Sequence, residues 1–149
     1  SGDFVSAQME SVLSDIRIDA VKIGMLGNCE VIEAAAGILR DHPVKHVVLD
    51  TILASTSGTP LLEPEAVGVL IRKLLPLCTV FTPNLPEAAI LLGDETPADE
   101  GGMENTARRL WNLAGCGPTV YLKGGHLSET VWWISSLTER KSAATNQAG

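Results

Sequence analysis

The chain has 149 residues, 45% of them hydrophobic, and a formal net charge of −7. That length fits one domain able to bury a real core, and the composition argues against a disordered segment. The acidic balance argues against a nucleic-acid or anionic-membrane surface, whose phosphates it would repel, but backbone amides could still hold a small phosphorylated ligand.

No apolar run approaches the roughly 20 residues needed to span a bilayer, and no signal-peptide pattern precedes the first helical segment. Cys29, Cys78 and Cys116 stand apart, without a CxxC or Cys/His metal spacing. They read as reduced thiols of a cytoplasmic protein, and a zinc site is not expected.

In chain order, Val5, Met9, Val12 and Leu13 predict a helix over 4–15, which Asp3 can cap. The apolar run DAVKIGML over 19–26 predicts a buried strand. A helix follows over 28–40, stopped by Asp41, His42 and Pro43. KHVVLD over 45–50 predicts a second strand of the kind covered on both faces. Residues 51–60 form a Ser/Thr/Gly-rich loop, and a third helix over 64–75 opens on Pro64. CTVFT over 78–82 predicts a third strand, and 86–92 a short helix that Gly93 can end. A polar loop over 94–102, a helix over 103–114 and a fourth strand, TVYLK, over 119–123 complete the pattern. Beyond Val131 no strand alternation and no closing helix is expected, and residues 132–149 read as a flexible tail.

Apolar strands alternating with helices predict an α/β fold: three layers, α/β/α, around a mostly parallel sheet. Ligands of such sheets bind at the carboxyl ends of the strands. Those ends carry Gly24-Met25-Leu26, Asp50-Thr51, Thr82-Pro83-Asn84 and Lys123-Gly124-Gly125.

Asn84 and Glu87 sit three apart where a strand passes into a helix, so both can face one pocket. The carboxylate could hold magnesium directly or through water, and the amide a phosphate. The same spacing also writes a capping box with no ligand at all. Asp50 could organise magnesium or phosphate-bound water, or simply anchor its loop. Lys123 could neutralise phosphate charge beside a glycine turn, although the P-loop spacing is absent. His126 reads as a loop residue. Met25 could pack on a flat heterocycle or fill core space, and Lys22, within its strand, calls for a structural partner.

The segments VKIGML (21–26), VVLD (47–50), Ser57-Gly58 before Pro60-Leu61-Leu62, FTPNLPE (81–87) and LKGGHL (122–127) occur in this order. Together they resemble the hydroxymethylpyrimidine/phosphomethylpyrimidine kinases of thiamine biosynthesis, in the ribokinase-like superfamily. The resemblance runs from about Phe4 to about Glu129. It implies transfer of the ATP γ-phosphate to hydroxymethylpyrimidine and its monophosphate, with Mg2+. It places Met25 at the pyrimidine pocket, Asp50 and Glu87 at the metal, and Asp50, Asn84, Glu87 and Lys123 at the nucleotide phosphates.

The family usually has proline where Thr51 stands. The resemblance also implies that the family's N-terminal pocket segment, its Gly-rich anion hole and the group activating the substrate hydroxyl lie outside this sequence. No catalytic base is therefore assigned. A partial kinase domain over 1–131 with impaired activity is expected, with exposed sheet edges that invite a homodimer. The alternatives are a non-catalytic nucleotide-binding or interaction remnant, and a kinase of pyridoxal-type substrates. In the tail, a Val-Val-Asp-Ile coding stretch with one inserted T would read Val131-Trp132-Trp133-Ile134, so a frameshift beyond about Val131 is the working hypothesis. A coding sequence with no family-like frame downstream would overturn it.

Overall fold

A computed structural model describes residues 1–55, 59–97, 99–124, 130–135 and 138–143. Ser57, Gly58, Gly125, His126 and Leu127 of the motifs above lie outside the described residues. Helix α1 (Gly2–Asp15) leads into strand β1 (Ala20–Ile23), helix α2 (Cys29–Asp41) and strand β2 (His46–Leu49). Helix α3 (Pro64–Val69) passes through wider and tighter turns into β3 (Val80–Phe81). Helices α4 (Leu85–Leu92) and α5 (Glu100–Leu113) then precede β4 (Thr119–Lys123), and β5 (Thr130–Ser135) and β6 (Thr138–Ala143) follow. No helix among the described residues is long and apolar enough to cross a membrane.

Local chemistry explains the helix ends. Asn28 caps α2 by accepting a hydrogen bond from the Val31 amide at 3.1 Å, and Ile32, Ala35, Ala36 and Leu39 form its buried stripe. Gly93 ends α4 in the left-handed conformation, φ 66°, which glycine adopts without steric cost. Asp99 caps α5 through the Gly102 amide at 2.7 Å, so this helix starts at Glu100, before the expected residue 103. Gly102 suits that turn because a Cβ there would lie 3.0 Å from the Pro97 Cβ.

The regular helix expected over 64–75 ends at Val69. Residues Leu70–Leu74 widen to i→i+5 bonding, and Leu75–Leu77 tighten to a 3-10 turn. Pro76 is the physical reason: it has no amide to donate, and its ring crowds the carbonyl four residues earlier.

The six strands lie in the order β1-β2-β3-β4-β5-β6, parallel from β1 to β4 and antiparallel from β4 to β6. The reading of the tail as free of strands is therefore corrected. Thr130 to Ile134 is rich in β-branched and aromatic residues, and Ile134 sits opposite Val120, 2% exposed.

Each parallel crossover moves one strand further in the same direction, and right-handed crossovers of that kind put their helices on one face. The burial agrees. Val21, Ile23, Val47, Leu49, Phe81 and Leu122 face one shared core with α2, α4 and α5. Lys22, His46, Val48, Val80, Tyr121 and Lys123 line the opposite face, where all are half-buried or exposed. The described residues thus supply a mostly parallel sheet and one helical layer of the expected three-layer arrangement. Cys78 lies in the core, and burial pushes its thiol up to about 12.

Candidate functional site

The carboxyl ends of β1 to β4 meet at one edge of the sheet, and a charged cluster crosses it. Asp50, just past β2, is at the centre. Its Oδ2 lies 3.2 Å from Lys22 Nζ on β1, and its Oδ1 lies 3.4 Å from Lys123 Nζ at the end of β4. The Thr82 hydroxyl, past β3, donates to the same Oδ1 at 3.2 Å. Four strands therefore converge on one carboxylate.

Burial pushes the Asp50 carboxyl up, but the Lys22 hydrogen bond, the Lys123 charge and the Thr82 and Lys123 hydrogen bonds outweigh it and hold it below the ordinary value of 3.8. A carboxyl depressed on folding contributes stability above its unfolded value and loses it as pH falls through the folded one. Urea midpoints of the wild type and Asp50→Asn are therefore expected to differ at about pH 6 and converge towards about pH 2. A difference that stays constant over that range would count against the ion cluster.

A second set of contacts lies on the helix side. Asn84 Oδ1 accepts from the Glu87 amide and Glu87 Oε2 accepts from the Asn84 amide, both at 2.8 Å. The capping box is thus formed, and Glu87 is buried, 6% exposed. The Thr51 hydroxyl donates to the same Oε2 at 3.2 Å, which gives Thr51 a role where the family usually has proline. Lys123 is tied to this segment by its amide, which donates to the Pro83 carbonyl at 2.8 Å, and by a parallel bridge to Asn84.

The structure thus brings Asp50, Asn84, Glu87 and Lys123 to one edge, with Asp50 and Glu87 bonded to different partners. Among the described residues no group of three His, Cys, Asp or Glu is gathered as a metal cage. Magnesium, however, is commonly held by one or two carboxylates, water and nucleotide phosphates. A half-buried Asp50 bonded to the Thr82 hydroxyl fits that mode. Met25 follows β1 and is 65% exposed, so it does not fill core space. Its chain neighbours Gly24 and Leu26 line a small cavity of about 10 Å3, together with Asp50, Thr51, Leu53 and Leu62. Thr51 and Thr82, noted in the sequence only as strand-end residues, and Lys22, expected only to have a structural partner, join the site through these contacts.

A family model described as phosphomethylpyrimidine kinase matches residues 1–147. The hydroxymethylpyrimidine/phosphomethylpyrimidine kinase of Escherichia coli is 48% identical over 127 residues, covering 85% of this chain and 47% of that protein. The crystal structure of phosphomethylpyrimidine kinase from Clostridium difficile superposes with a TM-score of 0.83 at 32% identity, over 96% of this chain and 62% of that one. An ADP complex of Bacillus subtilis pyridoxal kinase superposes with a TM-score of 0.81 at 28% identity, over 99% of this chain and 57% of that one. The chain spans about half the length of the curated kinases it matches.

Proposed function

Because the chain belongs to the phosphomethylpyrimidine kinase family and has its ribokinase-like fold, we propose that it forms the central part of an ATP-dependent kinase acting on hydroxymethylpyrimidine and its monophosphate in thiamine biosynthesis. The observation that carries this reading is the convergence of Asp50, Thr82, Asn84, Glu87 and Lys123 at the strand ends. Phosphoryl transfer needs little covalent chemistry from a protein; positioning and stabilisation of spread charge do most of the work.

Lys123 supplies a cation whose backbone is held by the bridge to Asn84. Asp50 and Glu87 are the carboxylates that would hold magnesium, through water or directly, and a bound magnesium ion would neutralise phosphate charge. Asn84 stiffens the strand-to-helix turn that carries Glu87. Met25, exposed after β1, offers a soft apolar surface to the pyrimidine ring.

The test is phosphorylation of hydroxymethylpyrimidine by the purified chain with ATP and magnesium, read by product mass, with the Escherichia coli kinase as control. The expected result is an ATP-dependent monophosphate of the pyrimidine. A chain that forms no product and also binds neither ATP nor the pyrimidine in calorimetry, while the control does both, would overturn the reading.

A further inference from the structure

The two lysines on Asp50 are not equivalent. Lys123 belongs to the strand end, where its backbone is bonded to Pro83 and bridged to Asn84. Lys22 lies on β1, which is at the edge of the sheet among the described residues, directly opposite Val48 of β2, and reaches Asp50 with its side chain 70% exposed. Each lysine takes a different oxygen: Lys22 holds Oδ2 at 3.2 Å, and Lys123 shares Oδ1 with Thr82 at 3.4 Å. Two cations on one anion leave a net positive charge, so the cluster has one cation to spare.

We propose that Lys22 is a positioning residue, holding the Asp50 carboxylate so that Lys123 can leave it for an anionic phosphate at the strand ends. With Lys22 in place, departure of Lys123 leaves Asp50 paired on Oδ2 and bonded to Thr82 on Oδ1. Without Lys22, Lys123 is the only lysine on that carboxylate and must abandon it to bind an anion. Lys22 thus raises anion affinity through Asp50, with no contact of its own to the anion. This inference rests on the kinase reading for its phosphate, and on the ion cluster alone for its geometry.

The experiment uses the full chain, inorganic tripolyphosphate as the probe and EDTA to remove metal, so that only side-chain charge is read. In calorimetry Lys22→Met is expected to weaken tripolyphosphate binding about 3- to 5-fold, the scale of a half-exposed ion pair. Lys22→Arg is expected to restore it, and in an Asp50→Asn background Lys22→Met is expected to change it less than about 1.5-fold. Equal losses in both backgrounds would mean that Lys22 touches the anion itself, and would overturn the proposal, as would no loss in either.

Peptide mass spectrometry of the Lys123 acylation rate gives a second reading that needs no ligand. A more tightly paired Lys123 should react about 3-fold more slowly in Lys22→Met and faster in Asp50→Asn. An unchanged rate would overturn the positioning role. Absence of tripolyphosphate binding in the wild type would instead count against the kinase reading, while the acylation rates still decide the role of Lys22.

Discussion

Phe81→Ala is expected to destabilise the fold by about 3–5 kcal/mol, the usual cost of removing a fully buried aromatic side chain. Phe81 is 0% exposed and stands between Leu49 of β2 and Val120 of β4. Its strand, β3, is only two residues long, so few ladder hydrogen bonds hold it in the middle of the sheet. The side chain fixes it there instead, with apolar neighbours on both sides. Domains of this size are stable by roughly 5–15 kcal/mol in total, so the variant should lose a large share of its stability. Urea unfolding followed by circular dichroism measures the difference, with Phe81→Leu as a milder comparison. A loss below about 1 kcal/mol would mean that the core closes over the gap, contrary to the packing described.

The second large effect is expected at Glu87. Its Oε2 accepts from the Asn84 amide and the Thr51 hydroxyl inside the fold. Glu87→Ala removes half of a capping box and strands the two donors it held, the Asn84 amide and the Thr51 hydroxyl. A loss of about 1–3 kcal/mol is expected in metal-free buffer. Glu87→Gln keeps an oxygen acceptor and should lose less. Thermal unfolding with and without magnesium then separates the two roles of this residue. A deficit seen only with magnesium would contradict the structural role, and one identical in both buffers would leave Glu87 no part in holding the ion.

The four parallel strands are legible in the sequence because each is a continuous apolar run ending in polar or glycine-rich residues. For the same reason Asp50, Asn84, Glu87 and Lys123 can be picked out: each is an unusual residue at the end of such a run. Lys22 is harder to see. It lies inside an apolar strand, and its partner is on the next strand, so only the register Lys22↔Val48 brings it to Asp50. Thr51 and Thr82 are visible as strand-end residues but not as partners of the carboxylates, since a hydroxyl at a loop start does not say what it will bond. The widened turn over Leu70–Leu74 has the apolar spacing of an ordinary helix, with Pro76 its one clue. Strand β5 is not legible from alternation, which Trp132-Trp133 breaks, although its β-branched and aromatic composition favours a strand. For Asn84 and Glu87 the spacing fits a cap and a ligand site equally, and the hydrogen bonds show the cap formed.

The unbroken strand order has a consequence for how the chain comes together. Val21 pairs with Val47, Val48 with Val80, and Val80 with Thr119, each strand joining the one made just before it. Among the described strands, none has to wait for a later one to be inserted between it and its neighbour. Loop closure for each addition spans a single crossover, and its entropic cost rises only slowly with length. Within this segment, synthesis towards the carboxyl end can therefore extend the sheet at one growing edge. Asp50 meets Lys22 early in that sequence and gains Lys123 only when the fourth strand arrives.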